Sequence, residues 1–230
     1  MTKIAECLPA GTALPRHQHA NAYITLVLRG EYTEAGDHGR FKVRPGDVLV
    51  HGAYASHADW IGRRGDVKTL NFELQGCVPK APIGFTPEVD DIARISTKDP
   101  IAAQAALLDS LKPRLPELSD WPEMLAQAIR ANPDKPIGYW TRSLGLAPAT
   151  VSRGFRKAFG VSAAQYRATA RTLQAFQALI DTKTALTDIA TQLHFSDQAH
   201  FTRSIRALTG APPNHWRQVK NLQDTTRYHA

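Results

Sequence analysis

Cysteine is scarce: Cys7 and Cys77 are the only two in 230 residues. Two widely separated thiols are too few for a disulfide framework and lack the close spacing of zinc-binding pairs. Long apolar runs are missing as well. No stretch approaches the ~18 residues of a membrane-spanning helix, and the start is already polar by Lys3 and Glu6, so neither a transmembrane segment nor a secretory leader is expected. The expected setting is a reducing cytoplasm. Acidic residues are the third shortage, with 21 Asp/Glu against 28 Lys/Arg and a net charge of +7. That shortage is local. Residues 1–115 hold 14 Lys/Arg and 13 Asp/Glu, net +1, whereas residues 116–230 hold 14 and 8, net +6. A basic excess confined to one half is what a polyanion-binding module requires.

The two halves also differ in pattern. Residues 1–76 read as short strands. Ala22 to Leu28 puts Tyr23, Thr25 and Val27 on one face and Ile24, Leu26 and Leu28 on the other, the period of a strand. Gly30, the Gly36–Gly39 turn and Pro45-Gly46-Asp47 punctuate further strands near Tyr32, Phe41–Val43 and Val48–Val50, and Val67–Leu74 closes the set. Many short strands between Gly/Pro turns predict a small sandwich or barrel. Four prolines between Pro79 and Pro100 then suggest a connector. Its one expected helix, Ala102–Leu111, serves equally as core packing or as a dimer contact, because periodicity does not separate the two.

From Trp121 onward the apolar spacing is helical. Pro122, Pro136 and Pro148 each open a helix, Ser162 and Asp197 stand as N-caps, and Thr187 starts a short helix. Two stretches about fifty residues apart repeat one arrangement. Val151, Phe155 and Phe159 back onto Arg153, Arg156 and Lys157 and stop at Gly160; Phe201, Ile205 and Leu208 back onto Arg203 and Arg206 and stop at Gly210. Two such helices in the basic half predict two helix-turn-helix units.

Residues from about Met124 to Val219 resemble the DNA-binding domain of AraC/XylS-type transcription regulators. The matching residues are Leu144-Gly145, Ser152 to Arg156, Phe159-Gly160, Arg171, Ala175, Leu179, Asp188 to Ala190, Phe195 to Asp197, His200 to Arg203, Thr209-Gly210, Pro212 and Trp216-Arg217. The sequence departs from that pattern at Trp140-Thr141, at His194, at Ile205 and at Ala147, where a missing serine cap costs about 1 kcal/mol. The resemblance implies base contacts from Ala149, Ser152 and Arg153 in one half-site and from Gln198, Ala199, Thr202 and Arg203 in the other. Arg156, Lys157, Arg167, Arg206 and Arg217 are the phosphate candidates.

The β-rich half resembles the cupins, small jelly-roll barrels. Gly11, His17, His19, Tyr23 and Gly30 follow the first cupin motif in spacing, and Pro45-Gly46-Asp47 with His57 follows the second. Tyr23 stands where metal-binding cupins carry a glutamate. His17, His19 and His57 remain as three imidazoles able to hold Zn²⁺ or a similar divalent ion with one position open. Tyr23, His51, Trp60 and Phe72 are expected to line the same pocket.

The expected architecture is therefore α+β in two domains, with a cupin-like sensor or dimerisation barrel at 1–78, a connector at 79–121 and a double helix-turn-helix domain at 122–230. The expected function is sequence-specific transcription regulation, favouring an effector-responsive activator rather than an enzyme. Double-stranded promoter DNA, a small-molecule effector, RNA polymerase and a second copy of the chain are the implied partners, at the bacterial nucleoid. The competing reading is a cupin metalloenzyme, an oxygenase or isomerase, fused to a DNA-binding domain.

Overall fold

A computed structural model of the chain describes residues 4–75, 78–115 and 120–219. Cys77 and everything after residue 219 lie outside the described residues. The chain divides into two compact units, one of residues 1–124 with 153–161 and one of 125–152 with 162–230.

The first unit opens with eight strands: β1 (Ala5–Leu8), β2 (Ala13–Gln18), β3 (Tyr23–Arg29), β4 (Tyr32–Gly36), β5 (Gly39–Val43), β6 (Asp47–His51), β7 (Ser56–Ile61) and β8 (Val67–Glu73). Then come β9 (Ile83–Phe85), α1 (Val89–Ser96), α2 (Pro100–Ser110) and the two-residue β10 (Lys112–Pro113). The strands form a six-stranded sheet, β1-β8-β3-β6-β9-β10, and a four-stranded sheet, β2-β7-β4-β5. This two-sheet β-structure is what the strand pattern predicts.

Alternation along each strand of the larger sheet builds two cores. Ile24 and Leu26 of β3, Val48 and Val50 of β6, and Leu70 and Phe72 of β8 form one cluster with Ile92 of α1 and Ala103 and Leu107 of α2. The alternate residues Val27, Leu49 and Val67 join Tyr32, Phe41, Val43 and Ile61 of the smaller sheet in the other. Both faces of the larger sheet are thus covered, which is why its strands read as nearly continuous apolar runs.

The segment expected as a connector supplies β9 to the sheet and two helices to its outer core. The prolines there are starters as much as breakers. Asp99 caps α2, its Oδ1 accepting from the backbone N–H of Ile101 at 3.0 Å and of Ala102 at 2.9 Å. Pro100 takes the first helical position, where no N–H is missed. The open alternative for this helix resolves toward packing, since Ala103 and Leu107 are fully buried in the sheet core.

The helical half comprises α3 (Trp121–Ala131), α4 (Ile137–Ser143), α5 (Pro148–Phe159), α6 (Ala163–Asp181), α7 (Leu186–Gln192) and α8 (Gln198–Thr209), and residues 213–219 are helical. Ser162 caps α6 by accepting from Gln165 N–H at 3.1 Å. Asp197 caps α8 by accepting from His200 N–H at 2.6 Å. The 19 residues of α6 give a helix of about 28 Å at the usual rise. No described helix is long and apolar enough to cross a membrane.

Truncation at neighbouring positions of α2 tests this packing. Leu107→Ala should lower stability by about 2–5 kcal/mol, the cost of a buried cavity. Leu108→Ala, at a site 38% exposed, should stay within about 1 kcal/mol. Urea unfolding of the two variants measures both; equal losses would mean that α2 does not seat through Leu107.

Candidate nucleic-acid interface and barrel site

Inside the barrel, one end is apolar and the other is ionisable. The polar end is built by cross-strand pairing. His17 on β2 stands directly opposite His57 on β7, and Tyr23 on β3 opposite His51 on β6. The rings follow: His17 and His57 centroids lie 4.3 Å apart, and Tyr23 stacks on His51 at 4.2 Å with an interplanar angle of 10°. Gly36 on β4 is the other neighbour of His57. A Cβ there would come within 2.9 Å of the His57 Cβ, so glycine is what admits the imidazole.

The same pairing creates an electrostatic problem. Glu34 and Asp59 are both buried and directly opposite each other, a like-charge pair that destabilises a sheet. His57 resolves it. Its Nδ1 lies 3.1 Å from Glu34 Oε2 and 3.4 Å from Asp59 Oδ1, and its Nε2 lies 2.8 Å from the Tyr23 hydroxyl. Both Glu34 oxygens also lie 3.0 Å from His51 Nε2. Burial opposes charge on His57, but Glu34 and Asp59 outweigh it and raise its pKa to about 10. Burial likewise disfavours the Glu34 carboxylate, yet His51 and His57 hold its pKa well below the ordinary carboxylate range. At the rim, burial and then the neighbouring His57 lower His19 to about 4. His19 is therefore a neutral imidazole beside a charged one.

Two overlapping sets of donor atoms emerge, His17 with His19 and His57, and Glu34 with His51 and His57. Within each set the atoms lie within 4.8 Å of one another. The three histidines expected to converge are thus brought together with Tyr23 and His51. Trp60 and Phe72 are not. Trp60 is 37% exposed on β7, out of phase with His57 and Asp59. Phe72 packs in the outer core. The period of two sends each to the opposite face from the pocket. Glu34, Asp59 and the Thr25–Asn71 hydrogen bond of 2.8 Å were not expected there. The available signal was phase: Glu34 is two residues from the inward Tyr32, and Asp59 is two from His57.

In the helical half, α5 and α8 each bury their apolar stripe and expose the other face. Phe155, Phe159, Phe201 and Ile205 are fully buried. Ala149, Ser152, Arg153, Gln198, Ala199 and Arg203 are exposed, and Thr202 is half-buried. Arg156, Lys157 and Arg206 are exposed too. Gly154 lets the Trp121 ring close on α5, since a Cβ there would meet that ring at 2.4 Å.

Residues 140–219 match a family model described as a helix-turn-helix domain. They form a helix-turn-helix domain. Over 82 residues the chain is 33% identical to the HTH-type transcriptional regulator ExsA of Pseudomonas aeruginosa, covering 36% of this chain and 30% of that protein. Over 84 residues it is 32% identical to the virulence regulon transcriptional activator VirF of Yersinia enterocolitica, covering 36% and 31%. The chain therefore matches less than a third of the length of these curated relatives. The crystal structure of unsaturated fatty acid-bound ToxT from Vibrio cholerae aligns over 93% of each chain, at 9% identity and a TM-score of 0.43.

Several arginines of the helix-turn-helix domain have internal tasks. Arg171 donates to His194 O at 3.1 Å and lies 4.9 Å from the Phe195 ring centroid. It thereby pins the turn between α7 and α8, where His194 takes a left-handed φ of 55°. Arg167 Nη1 donates to the carbonyls of Pro133, Asp134 and Lys135 at 3.1–3.3 Å. Arg217 donates to Thr184 O. These two phosphate candidates are tied to the backbone of their own unit, unlike Arg156, Lys157 and Arg206.

The barrel charge network yields a pH-dependent expectation. A folded-state pKa near 10 for His57 means that its charge contributes stability fully below its unfolded value of about 6.5, a contribution lost as pH rises through the folded value. Glu34→Gln removes the largest raising influence and leaves only Asp59 to oppose burial, so the His57 pKa should fall. NMR titration of the His57 ring nitrogens in both proteins checks this. An unmoved titration would mean that Glu34 does not hold the proton on His57.

Proposed function

We propose that this chain is a ligand-responsive transcription regulator that reads promoter DNA with α5 and α8 and senses a small polar ligand or a divalent ion in the barrel. The pair of arginine-bearing exposed helix faces, in a domain of this family, is the observation that carries the reading. An α-helix fits the major groove, and its N-terminal residues reach base edges. Ala149, Ser152 and Arg153 serve one half-site, and Gln198, Ala199, Thr202 and Arg203 the other. Arginine pairs two donors with guanine, glutamine matches adenine, and alanine meets a thymine methyl group. Arg156, Lys157 and Arg206 hold phosphates. The relative VirF is named an activator, which favours activation, with RNA polymerase as the downstream partner and a second copy of the chain as a candidate for paired sites.

Sequencing the duplexes retained by the purified chain from a random pool defines the operator. Arg203→Ala should then cost about 1–3 kcal/mol and relax one base pair of one half-site. Arg153→Ala should do the same one helical turn away. A loss spread evenly over all sequences would assign both side chains to phosphates.

The barrel site fits a divalent ion by donor chemistry. Imidazole nitrogens and a carboxylate suit Zn²⁺ or a similar metal, and the buried His51 Nδ1 has no hydrogen-bond partner among the described residues. His17, His19 and His57 would hold such an ion, or Glu34 with His51 and His57, where Glu34 supplies the carboxylate that Tyr23 lacks. An ion there would displace the proton of His57 and leave a position for an effector. Cobalt(II) added to the full chain should give a visible ligand-field spectrum that His57→Ala abolishes and His17→Ala weakens. An identical spectrum in His57→Ala would leave the pocket to a metal-free ligand. Glu34 also gives the metalloenzyme alternative its one specific support; turnover of candidate substrates by the cobalt-loaded chain would favour that alternative.

A further inference from the structure

The cluster of imidazoles and carboxylates occupies the end of the barrel where β3 begins at Tyr23 and β6 finishes at His51. The opposite ends of these strands meet in a different surface. The turns at 29–31, 44–45 and 62–66, with the start of β8, enclose an open groove of about 780 Å³. Arg29, Arg44, Arg63, Arg64 and Lys68 line it. All five are exposed, and none forms an ion pair among the described residues.

Two acids, Glu31 and Asp66, share the lining and only partly balance the five cations. Asp66 also accepts from the backbone N–H of Ala10 at 2.9 Å, and Glu31 lies 4.0 Å from Lys42, which is outside the lining. Arg29 and Lys68 stand directly opposite on β3 and β8. Like charges so placed weaken a sheet, and an anion lying between them would reverse the sign. The first 115 residues are nearly neutral, with 14 basic and 13 acidic side chains. Five of those fourteen gather here, so the groove is a local concentration rather than a share of a basic surface.

The lining also limits what binds. No aromatic ring is among the lining residues, so a base or nucleoside finds no stacking platform. Pro45 is the one apolar side chain in the wall, and small-molecule sites are mostly apolar. Gly62 and Gly65 add no side chain to the wall, and nothing lies within 4 Å of where a Cβ would stand on either. Recognition by charge alone, over an open track, suits a repeating polyanion. Duplex DNA offers one phosphate per ~1.7 Å of its axis, and its contacts gain from released counterions.

We propose that this groove is a sequence-independent docking site for the phosphate backbone of double-stranded DNA, adding to the contacts of the recognition helices. It rests on the DNA-binding reading above. In such a chain, a weak second contact acts at high effective concentration once the first is made.

The test compares three full-length proteins: the parent, the groove variant R29Q/R63Q/R64Q/K68Q, and the charge-matched control K80Q/R94Q/K98Q/K112Q. Their affinity for a random-sequence duplex of about 40 base pairs is followed by fluorescence anisotropy between about 50 and 200 mM salt. Thermal melting checks that each is folded. The groove variant should bind at least about tenfold more weakly, with a log–log salt slope shallower by about 2–4, given ~0.9 per lost phosphate contact. The control should keep most of the parent slope. A groove variant with the parent slope, or a control that loses as much, overturns the proposal. So does loss of inorganic tripolyphosphate binding in the groove variant with the DNA slope intact, which would assign the groove to a small phosphorylated ligand. A parent that binds no duplex sinks the DNA-binding reading itself, whereas a binding parent with an unaffected groove variant sinks this inference alone.

Discussion

Glu34 carries its charge at 4% exposure, where an unpaired carboxylate would cost roughly several kcal/mol. Everything at that end of the barrel answers to this constraint. His51 and His57 must point inward to meet it, so their strands must hold one register, because a slip of one residue would send both rings to the other face. Gly36 must lack a side chain for His57 to enter. Tyr23 must stay protonated, as burial and then Glu34 ensure by raising its pKa far above the usual phenol value. A polar interior of this kind contributes less to stability than apolar packing of equal volume. What it provides is a set of oriented donors and acceptors.

Much of this was legible in the sequence. The alternation of Tyr23, Thr25 and Val27 against Ile24 and Leu26 gave both faces of β3 without a structure. The cupin-like spacing of His17, His19 and His57 identified three rings that do converge. Trp60 and Phe72 were misjudged because residue type was weighed ahead of phase: an aromatic residue suggests a pocket, but its parity along the strand decides which side it faces. Glu34 escaped notice for a related reason. Its strand is short and pairs with β5 and β7, and only that pairing brings it beneath His57. Pairing between strands distant in sequence is what local patterns do not encode.

The helical half was easier, because its signals are local. Caps at Ser162 and Asp197, and glycine stops at Gly160 and Gly210, operate within one turn of chain. His194 shows how a departure from the pattern is absorbed. A left-handed histidine is uncommon but tolerated, and its own carbonyl is held by Arg171, which also stacks on Phe195. The tertiary contact makes up for what a glycine would have supplied. Arg167 and Arg217 could not have been sorted from the solvated arginines without coordinates, since a guanidinium bound to a distant carbonyl leaves no mark in its neighbours.

The larger sheet ends in Lys112 and Pro113, paired with Phe85 and Gly84. Proline has no amide hydrogen to donate outward, and a lysine beside it resists the approach of another chain. That margin is closed to strand addition. Copies of this protein cannot extend the sheet there into a continuous ribbon, and association at that border has to run through side chains. The backbone template for aggregation that an open sheet edge offers is thereby withheld at that border.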